Sequence, residues 1–120
     1  MSLFQLGDFT LYSGAASRWK IYCDALTDED WQALAVMLAE RLPPFGVAIG
    51  IPRGGIRLAV AMSAHCRKGS QTILLVDDVL TTGSSMEEYR ASFSAGVIGA
   101  VVFARGECPD WIVPLFQMRS

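Results

Sequence analysis

The chain has 120 residues, 52% of them hydrophobic and 18% charged, enough for one domain (residues 1–120) with a real apolar core. A net charge of −2 and a pI near 5.2 leave no broad basic footprint, which argues against nucleic-acid binding. No stretch approaches the length of a membrane-spanning helix, and Met1–Gly14 lacks a basic-then-apolar signal pattern, so a cytoplasmic protein with no membrane partner is expected.

In chain order, Phe9–Ser13 and Trp19–Cys23 read as short strands around a Gly14-Ala15-Ala16-Ser17 turn. Thr27-Asp28-Glu29-Asp30 has the form of a capping box. Trp31, Leu34, Ala35, Leu38 and Leu42 then recur at helical spacing, and Pro43-Pro44 stops the helix. Gly46–Ile51 reads as a buried strand, followed by Pro52-Arg53-Gly54-Gly55 and an apolar helix from about Ile56 to Cys66. A strand over Ile73–Asp77 follows. A helix over Ser84–Ala95 comes next, with Met86, Tyr89, Arg90 and Phe93 on one face and Gly96 as its C-terminal cap. Val97–Ala104 and Ile112–Phe116 complete the list. Strands alternating with helices predict a parallel, layered α/β sheet with right-handed crossovers.

The three cysteines, Cys23, Cys66 and Cys108, are odd in number and widely separated, so reduced thiols are expected rather than a disulfide framework or a zinc site. His65 and Cys66 are helical neighbours whose side chains diverge, a poor arrangement for a nucleophilic pair.

The most informative run is Ile73-Leu74-Leu75-Val76-Asp77-Asp78-Val79-Leu80-Thr81-Thr82-Gly83-Ser84-Ser85. An apolar strand buried on both faces leads to two carboxylates at the sheet end where open α/β folds bind ligands. Thr81–Ser85 then offers backbone N–H groups and hydroxyls where a helix begins, an anion site. A diol binder beside a phosphate binder suits a sugar phosphate. A plain strand followed by a helix cap accounts for one Asp and one Ser, but not for the whole run. Pro52-Arg53-Gly54-Gly55 has the same placement after a strand and before a helix. It reads either as a glycine turn or as a second anion site strengthened by Arg53.

The Ile73–Ser85 run resembles the ribose-phosphate motif of the type I phosphoribosyltransferases. The resemblance implies that Asp77 and Asp78 hold the ribose hydroxyls of phosphoribosyl pyrophosphate, and that Thr81, Thr82, Gly83, Ser84 and Ser85 cradle its 5′-phosphate. It makes Pro52, Arg53, Gly54 and Gly55 the pyrophosphate loop. Phe9-Thr10-Leu11-Tyr12-Ser13-Gly14 is similar to the orotate branch, which has Lys where Tyr12 stands and a Pro-aromatic run in place of Arg18-Trp19-Lys20. Between Ile56 and Ile73 there is room for a helix and a short connection, but not for the further strand and long lid of family members.

The resemblance implies a shortened phosphoribosyltransferase-like sheet flanked by helices, with a reduced N-terminal hood and no long flexible loop. It implies transfer of a 5-phosphoribosyl group to a nitrogenous base, with Asp77, Asp78 and Arg53 as the catalytic set. Mg²⁺ would arrive on the ligand pyrophosphate, with no metal held by the protein alone. Phosphoribosyl pyrophosphate or a nucleoside monophosphate is the expected partner, and a homodimer the expected assembly. The missing lid keeps a non-catalytic binding module open as the alternative. A receiver-like signalling domain fits less well, because its paired acids follow the first strand and here the pair is mid-chain.

Overall fold

A computed structural model describes residues 2–10, 16–94 and 96–118. It contains a two-stranded antiparallel hairpin, β1 (Phe4–Thr10) with β2 (Ala16–Ile21), and a four-stranded parallel sheet. Residues 11–15, with the end of the first expected strand and half of the expected turn, lie outside the described residues; Ala16 and Ser17, expected in the turn, belong to β2, which starts ahead of the expected Trp19. β1 begins at Phe4 rather than Phe9, because Phe4 has an aromatic partner in the sheet, Phe103, at 6.1 Å between ring centroids. Cys23 leaves the strand for a single 3₁₀ turn, Cys23–Ala25.

Helix α1 (Asp28–Ala39) starts where the capping box places it. Thr27 Oγ1 accepts from Asp30 N–H at 3.1 Å, and Asp30 Oδ2 accepts from Thr27 N–H at 2.9 Å. Its buried face is Trp31, Ala35 and Leu38. Past its end, Arg41 donates to the Leu115 carbonyl at 2.9 Å, tying the helix to the far side of the sheet.

The sheet is β3 (Val47–Gly50), β4 (Ile73–Leu80), β5 (Val97–Ala104) and β6 (Ile112–Gln117), in that spatial order and all parallel. Helix α2 (Ile56–Ser63) connects β3 to β4, and α3 (Ser84–Arg90) connects β4 to β5. β4 extends beyond the expected Asp77, because Asp77, Val79 and Leu80 pair in register with Val101, Phe103 and Ala104. α2 stops short of Cys66, with Ser63 Oγ donating back to the Ala59 carbonyl. α3 ends at Arg90, not Ala95. Only Met86 on it is buried, and Tyr89 and Arg90 face solvent, so packing holds a helix of only 7 residues. Gly96 is not its cap; the Gly96 carbonyl accepts from Ile73 N–H at the start of β4.

Period-two alternation splits the core between the two sheet faces. Leu74, Val76, Ala100 and Val102 pack with Trp31, Leu38, Leu58 and Met62 of α1 and α2. Leu75 and Val101 pack with Met86 of α3 and Ile112. Helices α2 and α3 therefore lie on opposite faces, although β3, β4 and β5 are successive parallel neighbours. Two crossovers that step the same way across a sheet on opposite faces have opposite hands, so the expectation of uniformly right-handed connections fails for one of them. The layer that α2 forms with α1, burying Leu58 and Met62 completely, holds α2 on its face. No helix among the described residues is long and apolar enough to cross a membrane.

Candidate functional site

Because β3 and β4 are parallel neighbours, the segments that follow them leave the same end of the sheet. They share a cavity of about 750 Å³. Of the residues singled out from the sequence, Pro52, Arg53, Gly54, Asp77, Asp78, Thr81, Thr82, Gly83, Ser84 and Ser85 line it. Gly55 does not. It lies buried beneath the loop as the N-cap of α2, its N–H donating to the Ile51 carbonyl at 2.8 Å.

The loops are shaped by close approach. A Cβ on Gly54 would sit 2.4 Å from Asp78 Oδ2, so only glycine lets the first loop lie against the carboxylates. Gly83 takes φ +85°, turning the chain from β4 into α3. Thr82 Oγ1 lies 3.0 Å from Ser84 Oγ and accepts from Ser84 N–H at 3.3 Å, which gathers the hydroxyls on the cavity side of the turn.

The carboxylates are held by backbone donors. Asp78 N–H donates to Asp77 Oδ1 and Val79 N–H to Asp78 Oδ1, each at 2.8 Å. Among the described residues neither acid has an ion-pair partner. Burial, then the hydrogen bond and charge of Asp78, push the Asp77 carboxyl up to about 8. The Cys23 thiol is pushed up to about 12, first by burial and then by the charge of Asp78, so it is no nucleophile.

Phe9, Thr10, Lys20 and Arg105 also line the cavity, and of these only Arg105 had no role in the sequence reading. Lys20 Nζ lies 5.6 Å from the Phe9 ring centroid and 5.3 Å from that of Tyr22. Arg105 lies flat on Trp19, its guanidinium carbon 3.4 Å from the ring centroid, and donates to Ser17 Oγ at 3.0 Å and the Trp19 carbonyl at 3.2 Å. It thereby fastens the hairpin over the sheet end. One signal was available: Arg105 is the first polar residue after the apolar strand β5, at the same end of the same parallel sheet. Tyr12 lies outside the described residues. The connection 64–72 holds only turns, with no strand and no lid.

Among solved structures, the chain is similar to orotate phosphoribosyltransferase from Aeropyrum pernix, at 24% identity and TM-score 0.75 over 97% of this chain and 88% of that one. It is similar to UMP synthase of Leishmania donovani, at 20% identity and TM-score 0.77 over 97% of this chain and 34% of that one. Helicobacter pylori xanthine-guanine-hypoxanthine phosphoribosyltransferase matches at 17% identity and TM-score 0.55, over 74% of this chain and 89% of that one. No family model matches the sequence, and no curated protein does. The fold is that of the type I phosphoribosyltransferases.

Proposed function

We propose that the cavity binds a 5-phosphoribosyl ligand, phosphoribosyl pyrophosphate or a nucleoside 5′-monophosphate, and that the protein transfers the phosphoribosyl group to a nitrogenous base. The observation that carries this reading is that two glycine-bearing strand-to-helix loops and an acid pair without an ion-pair partner among the described residues open on one cavity. In it, the hydroxyls and backbone N–H groups of Thr81–Ser85 receive the 5′-phosphate. Asp77 and Asp78 accept from the ribose 2′- and 3′-hydroxyls, and the Pro52–Gly54 turn with Arg53 receives the pyrophosphate. The protein's contribution to such a displacement is to position the sugar and to stabilise charge as it develops on the leaving pyrophosphate.

No group of three or more potential metal ligands comes together among the described residues. Two carboxylates beside an anion loop fit Mg²⁺ held mainly by ligand oxygens and water, where it would neutralise the pyrophosphate. Lys20 and Arg105 face the cavity from the hairpin side and give the base position a cationic wall, which favours an acceptor with anionic or carbonyl groups.

A second reading, binding without turnover, is favoured by the bare 64–72 connection, which leaves the cavity without a closing segment. A pyrophosphate-release assay with Mg²⁺ and a panel of pyrimidine and purine bases separates the two. Release with any base supports transfer. A raised melting temperature with phosphoribosyl pyrophosphate but no release selects the binding module, and no response of either kind removes both.

A further inference from the structure

The distal half of the hairpin meets the sheet end through one side chain. Arg105 follows β5, and its backbone N–H donates to the Leu80 carbonyl at 2.9 Å, which fixes it beside the start of the Thr81–Ser85 loop. Its Nη2 donates to both Ser17 Oγ and the Trp19 carbonyl, and its guanidinium lies on the Trp19 ring. Ser17 Oγ donates to the Trp19 carbonyl at 2.6 Å and accepts from Trp19 N–H at 3.3 Å, so guanidinium, hydroxyl and indole form one closed unit. The base of the hairpin has anchors of its own, with Ile21 in the core and Phe4 edge-on to Phe103. The distal half has little else: Leu6 is 90% exposed, and among the described residues only Arg105 hydrogen-bonds to Ala16–Lys20 from outside the hairpin.

The two hairpin-side cations that line the cavity therefore differ in what they leave for a ligand. Both Nη2 hydrogens of Arg105 and one face of its guanidinium are taken up by the hairpin. Lys20 lines the same cavity beside the Phe9 ring and has no ion-pair partner among the described residues. Trp19 and Lys20 are neighbours in β2, held opposite Leu6 and Gln5 of β1, so a shift of Trp19 carries Lys20 with it. The stance of the hairpin thus sets where the Lys20 charge falls in the cavity.

We propose that Arg105 is a positioning residue, whose clamp on Trp19 and Ser17 holds the hairpin at the height over the sheet end at which Lys20 and Phe9 meet the acceptor base. This rests on the phosphoribosyl reading of the cavity and adds a division of labour to it. Lys20 supplies the charge that the base meets, and Arg105 acts through the hairpin without touching the ligand. Lysine cannot replace Arg105, because an ammonium has neither a planar face for the indole nor a fixed pair of donors for Ser17 and the Trp19 carbonyl.

Titration calorimetry with two ligands tests it: the tightest-binding common nucleoside 5′-monophosphate, which carries a base, and phosphoribosyl pyrophosphate with Mg²⁺, which does not. Arg105→Lys is expected to weaken the nucleotide about tenfold more than phosphoribosyl pyrophosphate. Trp19→Ala shifts the same ratio, and the double variant shifts it no further than the larger single change, because both remove one clamp. Arg90→Lys, which disturbs a similar stack on Trp111 away from the cavity, leaves the ratio alone. Without ligand, Arg105→Lys speeds amide hydrogen exchange over Ala16–Ile21 and leaves β4 and β5 as in the wild type. A wild type that binds neither ligand overturns the reading on which this rests. A wild type that binds both overturns this inference alone under any of three results: Arg105→Lys leaves the ratio or the hairpin exchange unchanged, the two single effects multiply in the double variant, or phosphoribosyl pyrophosphate is the ligand weakened more.

Discussion

Asp77 is where sequence, packing and chemistry meet. It stands in a strand whose preceding residues, Leu74, Leu75 and Val76, are completely buried, and burial, then the hydrogen bond and charge of Asp78, raise its carboxyl. The sign of the pH effect follows. The folded state binds the Asp77 proton more tightly than the unfolded chain does. The stability this contributes is complete below about pH 4 and is lost as pH rises through about 8. The unliganded protein is therefore expected to melt at progressively lower temperature from pH 5 to pH 9, with a total loss on the order of a few kcal/mol. Asp77→Asn, a neutral isostere, flattens that profile, and parallel profiles for wild type and variant contradict the assignment. The carboxylate pair was legible in the sequence because both acids are adjacent at the end of one apolar run. That Lys20 and Arg105 meet at the cavity was not, since they lie in segments distant in the chain and only the hairpin's packing on Arg105 brings them together.

At the scale of elements, local signals were legible and tertiary ones were not. The α1 cap is a local interaction across four residues, and its geometry matches the sequence pattern. Thr27→Ala removes one of its two hydrogen bonds and is expected to cost about 1 kcal/mol, a fall of roughly 4 °C in Tm by thermal denaturation. No change in Tm makes the box decorative. The end of α3 depends instead on which side chains reach the sheet, and only Met86 does, so the helical pattern that continues to Phe93 has nothing to pack on. The hand of the crossovers was illegible for the same reason: which face α2 occupies depends on α1, not on the α2 sequence. The loop after β3 offers a sharper test of element contact. Gly54→Ala forces a methyl against Asp78 and is expected to weaken ligand binding by about 1–3 kcal/mol, the scale of overpacking, while the far-UV spectrum stays native. Unchanged affinity in a titration separates that loop from the carboxylates.

For the whole molecule, two features pull apart. The sheet end has the loops and acids proposed to receive a phosphoribosyl ligand, but the chain returns from α2 to β4 without a segment that could close over it. Groups that act only on closure contribute to the transition state and not to ground-state binding. Any transfer is thus expected to be slow, well below the median kcat of about 10 s⁻¹, while affinity for the phosphoribosyl ligand survives. A rate with orotate within tenfold of that median, in a pyrophosphate-release assay, contradicts this expectation and assigns the missing charge to Lys20, Arg105 or a partner.

The central claim is that the end of the β3–β4 pair binds a phosphoribosyl ligand through Asp77 and Asp78. Titration calorimetry with phosphoribosyl pyrophosphate and Mg²⁺, on the wild type and on Asp77→Asn with Asp78→Asn, tests it most directly. Saturable 1:1 binding by the wild type is expected, with affinity lower by about 1.5–3 kcal/mol in the folded double variant, chiefly from the lost charged hydrogen bond of Asp78. Absent heat with the wild type at millimolar ligand, or equal affinity in both proteins, would contradict it.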